Sequence, residues 1–149
     1  MQRIVKAALA LILVLCMTAS AQTDIGEAKQ VAAVKKTVVD AYIDGIFLKG
    51  DAGAVKKGWH AECDIVIFQN GTLKKLPATY WVKRLTEHPG PLNPRVTYKF
   101  AHVHVNGYAA IATVEVFDGE KPLYMDFMNL YKFEDGWKIC TKTFLGYPR

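Results

Sequence analysis

The sequence lacks the short motifs by which the common catalytic and metal sites are recognised. It contains no phosphate-binding glycine loop, no zinc-type spacing of Cys and His, and no Gly-x-Ser-x-Gly turn. These absences argue against nucleotide hydrolases, zinc sites and serine hydrolases. We therefore expect neither a metal ion nor a cofactor.

The excess of positive over negative charge is also small. The chain has 19 Lys and Arg against 14 Asp and Glu, a net charge of +5, and two of the basic residues, Arg3 and Lys6, lie in an N-terminal segment that we expect to be removed. No run of basic residues is interleaved with aromatic side chains. So mild a balance does not predict binding to nucleic acid.

The chain has no apolar run long enough to span a membrane, and the first apolar run is short. Arg3 and Lys6 precede an apolar run over residues 7–17, and Ala19-Ser20-Ala21 has the small-x-small pattern of a signal-peptide cleavage site. A membrane-spanning helix needs about 20 apolar residues, and no later stretch reaches that length. Signal cleavage near Ala21 would leave no membrane span.

We therefore expect a signal peptide over residues 1–21 and a single domain over residues 22–149. The mature protein would be periplasmic or secreted. Cys16 follows Leu15 rather than a small residue, so a lipid-anchored form is not indicated. Two cysteines remain after cleavage, Cys63 and Cys140. In an oxidising compartment they form either a disulfide, if their Cα atoms come within about 7 Å, or two buried free thiols.

Apolar residues recur at helical spacing in the first part of the domain, and Asp51 and Asn70-Gly71 are positioned as a helix cap and a hairpin turn. Helices followed by strands predict an α+β fold. The predicted elements are a helix at Thr23–Leu48, a helix at Ala52–Lys57, strands at Asp64–Phe68 and Thr72–Leu76, and a helix at Ala78–Glu87.

The rest of the chain has the pattern of an antiparallel sheet of four strands joined by successive hairpins. Both faces of this sheet carry apolar residues, whereas a sheet with one face in water alternates more cleanly. We expect one face to pack on the helices and the other on a second subunit, in a homodimer. The predicted strands are Arg95–Val105, Tyr108–Phe117, Pro122–Phe133 and Trp137–Phe144.

This order of elements, with Trp59-His60-Ala61-Glu62 at the start of the first strand and Asp135-Gly136-Trp137-Lys138-Ile139 near the end, resembles the nuclear transport factor 2-like superfamily. Within it, the chain is most similar to the putative lumazine-binding family of small bacterial proteins. The likeness extends from Glu27 to Phe144. It implies a cone-shaped, cystatin-like α+β fold, in which N-terminal helices pack on a curved antiparallel sheet and leave a pocket at the open end. Members include isomerase-like, cyclase-like and dehydratase enzymes as well as non-catalytic binders, and they are often dimers.

Two polar residues are candidates for chemistry, Asp126 and His60. Asp126 lies among apolar residues of a strand, so it is either a pocket acid or base with a raised pKa or a structural carboxylate bonded to a helix or a neighbouring strand. His60 follows Trp59, and it is either a general base near neutral pH or a side chain that bonds the backbone at the start of the strand.

A third candidate site is the pair His102 and His104, two residues apart and therefore on one face of a strand. A metal site needs further ligands. We expect Tyr98 and Phe100 on the same face, which favours an aromatic surface over a metal site.

The predicted function is the binding of a small hydrophobic or aromatic ligand between the first helix, the third helix and the curved sheet. One alternative is an isomerase, dehydratase or cyclase that uses Asp126 and His60 as acid and base. The other is a dimeric structural module whose cavity is filled by its own side chains. The residues expected to contact a ligand are Tyr42, Trp59, His60, Tyr80, Trp81, Asp126 and Met128, although core packing explains most of these aromatic residues equally well.

Overall fold

The computed structural model describes residues 26–148, so the expected signal peptide lies outside the described residues. Three helices pack on one face of a curved, unclosed sheet of six strands, and the predicted α+β cone is confirmed. The elements are helix α1 (α-helical over residues 26–38 and π-helical over Val39–Leu48), α2 (Ala52–Gly58), β1 (Trp59–Gln69), β2 (Thr72–Pro77), α3 (Thr79–Glu87), β3 (Val96–Asn106), β4 (Ala109–Asp118), β5 (Lys121–Phe133) and β6 (Gly136–Gly146).

The strand order in the sheet is β2-β1-β6-β5-β4-β3. Neighbouring strands are antiparallel except β1 and β6, which are parallel. The β1–β2 hairpin turns at Asn70 and Gly71, whose φ angles of 51° and 74° are the positive values that a two-residue type I′ turn requires. The parallel pairing places the β5–β6 hairpin in the middle of the sheet, facing the helices.

Helix α1 supplies most of the helical side of the core. One face of the helix buries Val34, Val38, Ala41, Tyr42 and Ile46, at the three- and four-residue spacing that its sequence predicts. Helix α2 begins at the expected cap, because Oδ1 of Asp51 accepts hydrogen bonds from the backbone N–H groups of Gly53 (2.8 Å) and Ala54 (3.0 Å).

The two faces of β5 differ in their surroundings. Asp126, Met128 and Leu130 alternate on the inner face and are buried against the helices. Phe127 and Tyr131 point to the outer face, where they are 48% and 54% exposed. Both faces of the sheet therefore carry apolar side chains, as the sequence indicates.

Bulges in β3 and β6 reverse the alternation of side chains within each strand. In β3, Phe100 pairs with Val114 but His102 pairs with Thr113, so Ala101 is the extra residue. Phe100 is consequently on the inner face, and the two histidines are on the outer face. Our expectation that Tyr98 and Phe100 share a face with His102 and His104 is therefore wrong.

The second bulge is in β6, where Cys140 lies between the pairs Leu130–Ile139 and Asn129–Thr141. Ile139 is buried before the bulge, and Lys142 is buried after it, three residues later rather than two or four. Lys142 therefore points toward the helices.

The two cysteines among the described residues are free thiols, Cys63 buried and Cys140 partly exposed. Within residues 26–148, no helix is long and apolar enough to cross a membrane.

Candidate functional site

A carboxylate is buried at the centre of the inner face. Asp126 on β5 is fully buried and contacts one polar group from the helices and one from the next strand. The Tyr42 hydroxyl of α1 donates a hydrogen bond of 2.7 Å to Oδ2 of Asp126, and the Lys142 ammonium of β6 lies 2.5 Å from Oδ1. We call these three residues the buried polar cluster.

The ion pair is close but incompletely hydrogen-bonded. Among the described residues, Oδ1 of Asp126 accepts no hydrogen bond of suitable angle, so the charge of Lys142 is its main compensation. The side chains of Lys142 and Asp126 are 6% and 0% exposed. Desolvation of two such charges costs several kcal/mol per ion, which the attraction between them offsets only in part.

Burial shifts all three side chains toward their neutral forms. It raises the pKa of Asp126, against the opposing effect of the Lys142 charge and of the Tyr42 hydrogen bond. It lowers the pKa of Lys142, against the opposing effect of the Asp126 charge. The pKa of Tyr42 lies well above its ordinary value because of burial and, after that, the nearby Asp126 charge.

Aromatic rings surround the Lys142 ammonium. It lies 4.1 Å from the ring centroid of Phe144, 5.1 Å from that of Tyr42 and 6.0 Å from that of Tyr124. A desolvated cation at these distances is stabilised by the negative faces of the rings. The cation is thus held by one carboxylate and three aromatic side chains.

A cavity of about 170 Å³, the inner cavity, lies against this cluster. Tyr42 and Lys142 supply polar groups to a lining that is otherwise mostly apolar. The other lining residues are Phe47, Ile65, Ile67, Leu76, Trp81, Leu92, Tyr124 and Phe144.

An outer cavity of about 400 Å³ adjoins the inner one, because Phe47, Leu92 and Tyr124 line both. Leu92 lies in the loop after α3. This loop is held to α1 by backbone hydrogen bonds from Leu92 N–H to Ile46 O (3.3 Å) and from Asn93 N–H to Phe47 O (3.1 Å). The two cavities therefore share part of their wall.

The structure brings some of the expected ligand contacts together. Tyr42 and Trp81 line the inner cavity, and Asp126 lies behind Tyr42 and Lys142. Met128 is buried in the core. Tyr80 is 44% exposed and touches the site through an edge-on contact with Trp81, at 5.4 Å between ring centroids.

Trp59 and His60 line a different cavity, of about 310 Å³. The His60 ring stacks on Phe133, with the centroids 5.1 Å apart. Phe133 is seven residues from Asp126 along β5, which corresponds to roughly 20 Å in an extended strand. The structure thus does not bring His60 and Asp126 together as an acid–base pair.

Lys142 is a residue of the site that the sequence did not predict. Strict alternation from the buried Ile139 places Thr141 inside and Lys142 outside, and the Cys140 bulge reverses this order. The available signal was a lysine in a central strand, two residues from Phe144 and close to other apolar positions. That signal does not reveal a bulge.

Residues 29–145 match the model of a family described as putative lumazine-binding. Comparison with curated proteins gives no match. Among solved structures, the fold is similar to that of an NTF2-like protein of unknown function from Shewanella baltica OS155, with 18% identity, a TM-score of 0.67, and coverage of 82% of this chain and 97% of that one.

An NTF2-like protein of unknown function from Silicibacter pomeroyi DSS-3 is similarly related, with 18% identity, a TM-score of 0.66, and coverage of 80% and 98%. A cystatin-like fold protein from Burkholderia xenovorans LB400 has 16% identity, a TM-score of 0.58, and coverage of 80% and 95%. At such identities the similarity shows the fold alone.

Proposed function

This chain belongs to the putative lumazine-binding family of the nuclear transport factor 2-like superfamily, and on that premise we propose that it binds a small molecule in the inner cavity. The ligand we propose is flat and carries an acceptor oxygen. The observation that carries the proposal is the Lys142 ammonium, which lines an apolar cavity and is surrounded by aromatic rings.

The size of the cavities supports a ligand that enters one ring first. A cavity of about 150 Å³ accommodates benzene, so the inner cavity, at about 170 Å³, has room for one ring. Ligand sites usually have volumes of about 300–1,000 Å³. The remainder of the ligand would occupy the outer cavity, which is about 400 Å³.

The polar groups support an acceptor oxygen on that ring. An ammonium has three N–H donors, and Asp126 faces only part of the Lys142 ammonium. A carbonyl or carboxylate oxygen in the inner cavity would accept from another, while Tyr124 and Trp81 contact the ring. Lumazine, named in the family's description, is a flat two-ring compound with carbonyl oxygens and is a suitable first probe.

Calorimetry of the full chain with lumazine tests the proposal. Because a hydrogen bond to a charged group contributes about 1.5–3 kcal/mol, Lys142→Met should weaken binding by about tenfold or more. Ile67→Trp, which fills the inner cavity without removing a charge, should abolish binding. Lys132→Met, an exposed lysine of the same sheet, is the matched control. Equal affinity in all four folded proteins would exclude this site.

A catalytic function is a second candidate, because the buried polar cluster contains an acid and an amine whose pKa values are shifted toward each other. In this alternative, Lys142 touches the ligand and Asp126 holds the transferred proton. Exchange of the α-hydrogens of a bound carbonyl compound with deuterated water should then be lost in Asp126→Asn, whereas a pure binder would show no exchange above the buffer rate.

We also propose that the outer face of the sheet packs against a second copy of the chain. Its support is the exposure of Ile111, Phe127 and Tyr131, at 44%, 48% and 54%, on neighbouring strands. Sedimentation should show a dimer that Phe127→Glu dissociates. Phe68→Glu is the control, since Phe68 is 70% exposed but lies in the β1–β2 hairpin. A monomeric parent protein would exclude the dimer.

Export is proposed on the N-terminal sequence, with the protein acting in the periplasm or outside the cell. Fusion of residues 1–25 to an enzyme that is active only after export should produce activity. Replacement of Leu11 and Leu13 by Asp in the apolar run should abolish it. Activity retained by that variant would contradict a signal peptide.

A further inference from the structure

We propose that the chain has a second ligand site, separate from the inner cavity, which binds an amphiphilic monoanion: a carboxylate or sulfonate with a short apolar tail. The site is the cavity of about 310 Å³ between α2, the start of β1 and α3. Its volume reaches the lower end of the range of ligand sites. The proposal stands independently of the function proposed for the inner cavity.

The apolar part of this second cavity is suited to a hydrocarbon tail. Trp59 is 4% exposed, and its Nε1–H already donates to the carbonyl of Ala41 at 3.1 Å. The indole therefore offers only carbon surface to a ligand. Val55, Ala78 and Val82 extend this surface from the two helices and the turn before α3. A polar tail would lose its hydration here without replacement.

The polar part of the cavity is positively charged. Lys56 and Lys83 line it, and none of the described residues that line it is acidic. Lys83 has one acidic neighbour, Glu87, at 3.8 Å, but both side chains are more than half exposed, so this contact is weak. A single anionic head group would complement the two ammonium groups.

His60 adds a donor of defined orientation. Its Nδ1 accepts a hydrogen bond from the backbone N–H of Glu62 at 3.3 Å, and its ring stacks on Phe133 with an interplanar angle of 17°. When Nδ1 of a neutral imidazole is the acceptor, Nε2 carries the proton. His60 can therefore donate from Nε2 to the head group, together with the lysines.

A wall of two aromatic rings separates the two cavities. Tyr42 faces the inner cavity and Trp59 faces the second one, and their rings meet edge-on with the centroids 6.0 Å apart. The chain has three tryptophans. Trp81 lines the inner cavity, Trp59 the cavity of about 310 Å³, and Trp137 a further cavity of about 430 Å³. Each tryptophan can therefore report on one cavity.

The experiment is ¹⁹F NMR of the full chain labelled with 5-fluorotryptophan, with the three signals assigned by Trp→Phe variants. Octanoate should shift the Trp59 signal saturably, with smaller changes at Trp81. Octanol, which lacks the charge, should bind about tenfold more weakly or worse. Lys56→Glu/Lys83→Glu should weaken octanoate binding by a similar factor.

Lys74→Glu/Lys132→Glu is the matched control, because it changes the net charge equally at exposed positions outside the cavity. Val82→Phe, which fills the second cavity, should remove the octanoate response. An unchanged circular dichroism spectrum in these variants would show that the fold is intact.

Three results would overturn the proposal. Octanoate could shift Trp81 and not Trp59, octanol could bind as tightly as octanoate, or no signal could move at millimolar octanoate. Titration of the same sample with lumazine is read at Trp81. Failure of the second site and failure of the proposed function therefore appear at different signals.

Discussion

The Lys142 ammonium and the Asp126 carboxylate form an ion pair of 2.5 Å in which neither side chain is more than 6% exposed. The Tyr42 hydroxyl bonds the other carboxylate oxygen at 2.7 Å. Each charge is tolerated in the core because the other is present. The pair therefore connects the stability of the cone to the chemistry of its inner cavity.

Removal of one member of this pair should be far more harmful than removal of both. Lys142→Met leaves an uncompensated buried carboxylate and should lower the free energy of unfolding by about 3–5 kcal/mol. Adding Asp126→Asn removes the charge, keeps an acceptor for Tyr42, and should restore more than half of that loss. Urea unfolding measures both changes.

The control for this comparison of variants is Lys36→Met. Lys36 forms an ion pair with Asp40 on the surface, where the two side chains are 74% and 51% exposed. This variant should leave the unfolding midpoint nearly unchanged. The free energy lost in the double variant could instead equal the sum of the losses in Lys142→Met and Asp126→Asn. That result would show that Lys142 and Asp126 are not coupled.

The carboxyl group of Asp126 should titrate above its ordinary pKa of 3.8, because burial outweighs the stabilising charge of Lys142. In Lys142→Met that charge is gone, so the pKa should rise further. By contrast, the Lys138 ammonium, 2.7 Å away, lowers the pKa of the exposed Asp135. Carboxyl ¹³C NMR would measure all three values.

The sign of the effect on stability follows from proton uptake. A raised pKa means that the folded state binds the proton at a higher pH than the unfolded state, so stability increases as pH falls toward 3.8. The loss of stability caused by Lys142→Met should therefore shrink as the pH is lowered from 7 to about 4. A loss that grew over this range would contradict the raised pKa.

Gly50 should tolerate alanine much less well than Gly119. Both have similar positive φ angles, +66° and +64°, but a Cβ at Gly50 would lie 2.0 Å from the carbonyl oxygen of Gly90, whereas a Cβ at Gly119 meets nothing within 4 Å. Gly119→Ala should cost only the left-handed conformation, about 1–2 kcal/mol. Gly50→Ala should cost distinctly more in thermal or urea unfolding.

Gly50→Ala should cost more because the loop after α3 contacts the end of α1. The same contact positions Leu92 in the cavity wall. Gly50→Ala should displace this loop and shift the Trp81 ¹⁹F signal, while Gly119→Ala should not. Equal losses of stability in the two variants would show that the loop does not pack as described.

Cys63 should resist thiol reagents in the folded protein. Burial raises its pKa to about 12, with a smaller contribution from Cys140, so almost no thiolate is present at pH 8. Cys140 is partly exposed and should react slowly. Comparison of Cys63→Ser and Cys140→Ser in a dithiobisnitrobenzoate assay should assign the slow phase to Cys140, and unfolding in urea should release Cys63. Reaction of Cys63 before unfolding would contradict its burial.

The helices, the hairpins and the fold class could be predicted because they depend on local patterns. Asn70-Gly71 favours positive φ angles wherever it occurs, Asp51 caps the helix that follows it, and alternation marks a strand within a few residues. The likeness of the whole order of elements to one superfamily is confirmed for the same reason.

The candidate site depends instead on contacts between residues that are far apart in the chain. Asp126 receives its hydrogen bond from Tyr42, 84 residues away, and only the packing of α1 on the sheet brings the two together. His60, the other candidate for the acid–base pair, lines another cavity because β1 begins beside α2 and Phe133.

The sequence by itself determined the order of the helices and strands, because turn conformation, capping and alternation act over a few neighbouring residues. Tertiary structure alone decided which polar groups meet. Lys142 faces the core because strands β5 and β6 pair with one extra residue at Cys140, and a register shift between strands reverses the faces of all the residues that follow it.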